Sequence, residues 1–143
     1  KNTGGRGSGN HPGTLDFLGF THYWGKSLKG YWVIKLKTAR DRFSRAVRSM
    51  DHWCRDNRHL SIAAQQKKLN QKLRGHDAYY GVTGNSDALS RFHREVERRW
   101  RKWLNRRNRI RSLKWAKFRD ILRRYPLVHA RSVRSEYRHA AKP

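Results

Sequence analysis

The chain has 143 residues, 36% of them hydrophobic, and sets 35 Lys and Arg against ten Asp and Glu for a formal net charge of +25. That composition leaves room for one domain with tails and a lean core, carried by six Trp, six Tyr and five Phe. A compact body of such charge repels itself unless a polyanion neutralises it, which makes nucleic acid the expected partner.

No apolar run approaches the length of a membrane-spanning helix and no signal peptide is visible, so an anionic membrane is the weaker rival and none is expected as a partner. Cys54 is alone, with neither a disulfide partner nor a CxxC spacing for zinc. This favours a reducing compartment, cytoplasmic (bacterial) or organellar and not secreted.

Residues 1–13, KNTGGRGSGNHPG, read as a flexible loop or tail rich in Gly and Ser, without an initiator methionine, which suggests a cut from a longer chain. Residues 14–37 read as a β-hairpin around the turn GKSLKG. Trp32, Ile34 and Leu36 alternate with Val33, Lys35 and Lys37, while the first strand, Leu15 to Tyr23, is less regular and holds Gly19 between two phenylalanines. Thr38 with Asp41 has the spacing of a capping box, and Phe43, Val47, Met50 and Cys54 follow as one stripe of a helix that ends near Asn57.

Ser61 can cap a second helix with the stripe Ile62, Gln66, Leu69, Leu73, His76 and Tyr80, where Gly75 suggests a kink or a close helix contact. Asn85 or Ser86 can cap a third, whose stripe Leu89, Phe92, Val96, Trp100 and Trp103 is the cleanest in the chain. A fourth, shorter helix fits Ser112 to Arg124, with Leu113, Ala116, Ile121 and Leu122 inward and Pro126 as its stop. Residues 127–143 carry little pattern and read as a basic tail that frays. The expected fold is mainly α: a β-hairpin followed by a bundle of three to four helices over 38–126.

The chemistry open to these residues is narrow. No two Asp are adjacent and no metal-binding loop is evident, so two-metal phosphoryl transfer has no carboxylate cluster to work with. None of the eight histidines forms an HExxH pair, so neither catalytic nor metal residues are expected. The basic faces are different. Arg91, Arg94, Arg98, Arg101 and Lys102 fall opposite the apolar stripe of the third helix, and Lys67, Lys68, Lys72 and Arg74 lie on the second. Solvated helices normally mix signs, and this chain is nearly of one sign, so these residues are expected to meet phosphates.

RGHDAYYGVTGN, residues 74–85, adds His76 and Tyr79 as candidates. Its aromatics could stack on unpaired bases, or Tyr79 and Tyr80 could be core residues at a helix end; spacing leaves both open.

Taken in order, LDFLGFTHYW, the helix from Thr38, RGHDAYYGVTGN and WRKWLNRR resemble group II intron-encoded reverse transcriptases, or maturases, over roughly residues 14–126. The resemblance implies that Phe17, Leu18 and Gly19 are the primer-grip motif at the end of the palm, and that the helices form the thumb and maturase-specific domain X. It implies as partners the group II intron RNA, the RNA template/DNA primer duplex and the rest of the reverse transcriptase, fingers and palm.

The Tyr-Ala-Asp-Asp motif of that family is not among these residues, so DNA synthesis is expected only of a parent chain, with Mg2+ in its palm and no cofactor here. No endonuclease module follows Pro126, and LVHARSVRSEYRHAAKP departs from the family's usual ending. Composition alone would also suit a stand-alone structural RNA-binding protein of ribosomal type, or a DNA-binding module of a mobile element.

Overall fold

A computed structural model describes residues 13–107 and 112–131. Nearly all of the predicted N-terminal loop, and the predicted tail beyond Arg131, lie outside the described residues. Within them the chain is mainly helical. A three-stranded antiparallel sheet, β1 (Leu15–Phe17), β2 (Phe20–Lys26) and β3 (Trp32–Thr38), precedes α1 (Arg40–Asp56), α2 (Ile62–Tyr80), α3 (Ser86–Arg107) and α4 (Trp115–Arg124).

The predicted first strand divides into two. Phe17 pairs with Phe20, leaving Leu18 and Gly19 as a two-residue turn in which both have positive φ, 52° and 83°. This is the requirement of a type I′ turn, whose twist matches that of the flanking strands. The irregular alternation around Gly19 therefore marks a reversal of the chain. The second turn bonds the Gly30 N–H to the Ser27 carbonyl at 2.9 Å, with Gly30 also left-handed.

The core gathers Val47, Met50 and Cys54 of α1, Leu69 and Leu73 of α2, Phe92, Val96, Trp100 and Leu104 of α3, and Phe118 of α4. The apolar stripes of α1 and α3 follow the predicted spacing, except that Leu104 is buried at the end of α3 while Trp103 is only partly so, and α1 ends at Asp56 as expected. Buried polar groups are matched within this core: Trp100 Nε1 donates to Gln65 Oε1 at 3.0 Å, and Gln65 Nε2 donates to the Leu60 carbonyl at 2.8 Å.

Three local expectations for the helices change, and the cap at Ser61 holds. The capping box does not form: Thr38 ends β3, Ala39 occupies the cap position of α1, and no side chain bonds there. Ser61 does cap α2, its Oγ accepting from the Ala64 N–H at 3.2 Å. Gly75 makes no close contact with another element; it lies within an uninterrupted α2 and faces open space. In α4 the buried side chain is Phe118, while Ala116 is exposed, because the helix begins at Trp115 and its phase is set by the core it meets.

Leu127 and Val128, at the start of the predicted tail, pack against the core. The Pro126 carbonyl accepts from Gln66 Nε2 at 2.9 Å and Asn70 Nδ2 at 3.2 Å, and the Val128 N–H donates to Asn70 Oδ1 at 2.9 Å. Buried His93 closes this strap, with Nδ1 3.0 Å from the Val128 carbonyl and Nε2 2.9 Å from both Asp77 oxygens.

Candidate nucleic-acid interface

The joint between sheet and bundle is made by the stretch in which sequence left stacking and packing open. Tyr79 Oη donates to the Leu18 carbonyl at 2.6 Å, and its ring stacks on Phe20 at 5.8 Å between centroids. Tyr80 meets Phe20 at 5.2 Å, and its hydroxyl lies against Gly19. Asn85, fully buried, accepts from the Thr38 N–H at 2.9 Å and donates to Thr38 Oγ1 at 2.9 Å and to the Tyr80 carbonyl at 2.8 Å. Sequence reading placed Asn85 only as a cap; its partner Thr38 stands 47 residues away, too far for any local signal.

His76 is part of this packing. Its ring stacks on Phe92 at 3.7 Å and lies 4.7 Å from Tyr80, and burial pulls its pKa down to about 4. Its ring is thus held inside the fold. Tyr79 is 47% exposed, but its hydroxyl is engaged with the turn.

Phe17 and Leu18 are exposed at 59% and 67%. The Gly19 carbonyl accepts from the Ala39 N–H at 2.9 Å, and a side chain at Gly19 would meet Tyr80 Oη at 3.0 Å. The close approach that needs glycine here is made by the chain's own tyrosine.

The cations divide. Arg91, Arg94 and Arg98 of α3 are exposed in one row at helical spacing. They line a shallow groove that starts between Tyr23 and Lys37 of the sheet and the first turn of α3, then passes Phe43 of α1. An adjoining hollow, sharing Phe43 and Glu95, is lined by Arg48, Asp51 and Arg99. Sequence reading missed Lys37, Arg48 and Arg99, because only the packing of α1 and the sheet against α3 brings them alongside.

Arg101 and Lys102 have other neighbours. The Arg101 guanidinium lies 4.5 Å over the Trp115 ring, a cation–π contact that ties α3 to α4. Lys102 Nζ reaches Asp51 Oδ1 at 3.4 Å and lies 4.8 Å over Trp103. The same Asp51 oxygen accepts from Trp103 Nε1 at 3.0 Å and from Arg99 at 3.4 Å. Partial burial alone would raise the Asp51 pKa, but the Trp103 hydrogen bond with Lys102 and Arg99 outweighs it and holds the carboxyl below its ordinary value.

On α2, Lys67, Lys68, Lys72 and Arg74 are exposed, as expected of ligand-facing groups, but they do not wall the α3 groove. Lys72 leans over Trp53 at 5.9 Å, and Arg74 lines a separate hollow beside Ala78, Val128 and His129. Thus α1 and the sheet, rather than α2, complete the groove of α3.

No cluster of three His, Cys, Asp or Glu able to hold a metal ion occurs among the described residues. Among these residues no helix is long and apolar enough to cross a membrane.

The fold and groove define a strongly basic helical domain headed by a small sheet. The family model of the group II intron, maturase-specific domain matches residues 40–125, from the start of α1 to the residue after α4, and the chain belongs to that family. This relates it to the maturases of group II introns. Comparison with curated proteins gives no match, and comparison with solved structures gives none either.

Proposed function

We propose that the chain binds group II intron RNA and supports its folding for splicing, with the α3 groove as the phosphate-binding surface. The observation that carries this reading is the row Arg91, Arg94 and Arg98 on a maturase-specific domain, flanked by Lys37, Arg48 and Arg99 in adjoining hollows. Guanidinium groups grip phosphate in two-pronged fashion, and each phosphate neutralised releases a counterion. Lys67, Lys68, Lys72 and Arg74 on α2 would extend the field to a second, separate surface.

The test is a filter-binding titration on intron RNA at several salt concentrations. Replacing Arg91, Arg94 and Arg98 together by Gln should weaken binding and flatten the log–log salt slope by about 2 to 3. A wild-type affinity that ignores salt overturns the reading. Preference for duplex DNA over intron RNA in competition would favour a DNA-binding module of a mobile element.

The resemblance carries the proposal further, to a reverse transcriptase in which this piece follows the palm and the turn at Phe17, Leu18 and Gly19 meets the primer. The exposure of Phe17 and Leu18 supports that placement. Gly19 is a poor probe of it, since any side chain there strains the turn and strikes Tyr80. Leu18→Asn keeps the turn and alters only the exposed tip; unchanged primer extension by a full-length enzyme carrying it would count against the grip.

A further inference from the structure

The strand register sorts the sheet into two faces of opposite character. On one lie Leu15, Phe17, His22, Trp24, Trp32 and Ile34; the other carries Asp16, Thr21, Tyr23, Lys35 and Lys37. At Phe20 and Thr38 the first face is buried against the bundle, where they meet Tyr79, Tyr80 and Asn85; its outer part is open. Trp24 is 55% exposed, Trp32 66% and Ile34 54%, with Leu15 and Phe17 similar. Apolar surface gathered in this way marks an interaction site.

We propose that this face stacks unpaired RNA bases, with Trp24 and Trp32 as the platform. Trp24 pairs with Ile34 and Lys26 with Trp32, so the two indoles are diagonal neighbours on one face, at a spacing of roughly 7–8 Å. Lys26 Nζ lies 5.3 Å over the Trp32 ring, placing a cation beside the aromatic surface where a phosphate would follow its base.

Charge chooses the occupant. The only carboxylate of the segment 14–38 is Asp16, which belongs to the other face and accepts from Thr21 Oγ1 at 2.6 Å. A strand of RNA complements this pairing of indoles with lysine on a chain of charge +25, and base stacking needs no particular sequence. Continuity supports the same occupant: the arginine groove begins at Tyr23 and Lys37, on the reverse face of the same sheet. RNA whose helical part lies along α3 can thus pass an unpaired segment round the hairpin.

This inference rests on the RNA-binding reading, and the experiment separates the two. The full chain is titrated with an unstructured 12-nucleotide oligouridine and with an RNA duplex of equal length, at several salt concentrations. Trp24→Leu with Trp32→Leu keeps the face apolar and removes stacking. It should weaken oligouridine binding by about 10- to 100-fold while leaving duplex affinity and its salt slope unchanged. Trp24→Phe with Trp32→Phe should restore much of the loss.

Oligouridine affinity unchanged by the Leu pair, or duplex affinity falling equally, overturns the platform and leaves the groove standing. Absence of salt-dependent binding to either RNA overturns both readings. Two further results overturn the platform in favour of another occupant: sedimentation showing a dimer that Trp24→Ser with Trp32→Ser dissociates, or flotation on phosphatidylcholine/phosphatidylserine vesicles that the same pair abolishes.

Discussion

His76 shows how one side chain can read as a ligand in sequence and act as packing in the fold. It stands in RGHDAYYG between residues of a plausible RNA contact, yet its ring lies against Phe92 and Tyr80. Burial disfavours the charged imidazolium most; Asp77 opposes that shift and His93 adds to it, for a folded pKa of about 4 against an ordinary 6.5. The sign follows. Between these values the unfolded chain takes up a proton that the folded chain refuses, so stability is full above about 6.5 and falls as the pH drops toward 4. Urea unfolding at stepped pH should show a loss on the order of 2 kcal/mol across this window, and His76→Phe should remove that component of the slope. Cys54 reads more simply. Fully buried beside Met50 and Leu69, its thiol is pushed up to about 12, mainly by burial, which fits a small core residue and not a nucleophile.

Among the elements, the β1–β2 turn is the most exacting. Two residues must adopt positive φ, and one of them is Leu18, at 52°. Leucine resists this conformation by roughly 1 kcal/mol, whereas asparagine and glycine accept it readily. Leu18→Asn should therefore stabilise the chain by up to about 1 kcal/mol in chemical denaturation, unless the exposed leucine is held by a partner. Gly19→Val should destabilise it by more, since it combines a forbidden φ of 83° with a clash against Tyr80. Both turn residues are tied to the bundle, through Tyr79 to the Leu18 carbonyl and Ala39 to that of Gly19, so damage there spreads into the joint with α1 and α2.

For the molecule as a whole, the charge is the dominant fact. The ion pairs among the described residues draw on five carboxylates: Asp51 holds Arg99 and Lys102, Glu95 holds Arg98 and Arg99, Asp56 holds Arg55, Asp120 holds Arg123, and Asp77 sits with His93 inside the fold. Among the described residues most Lys and Arg side chains form no ion pair. Raising the salt from 50 to 500 mM should therefore raise the thermal midpoint of the free protein, against the usual weakening of surface ion pairs, and a polyanion should do so at far lower concentration. A midpoint that falls with salt would show that the few ion pairs outweigh the repulsion.

The amphipathic stripes of α1 and α3, the cap at Ser61 and the cationic row on α3 were legible in the chain, because each depends on spacing within a single helix and on side chains whose transfer free energy differs sharply. The mainly helical fold headed by a small sheet followed from the change of period near Thr38. What spacing could not supply was every relation between distant segments: that FLGF is a reversal closed by Tyr79 and Tyr80, that Asn85 is bound to Thr38, that residues 126–128 lie strapped along Asn70 and His93, and that α1 and the sheet complete the arginine groove. Those pairings come from burial and hydrogen-bond satisfaction across as many as 61 residues of separation, as between Tyr79 and Leu18, and only the folded chain brings both partners into reach.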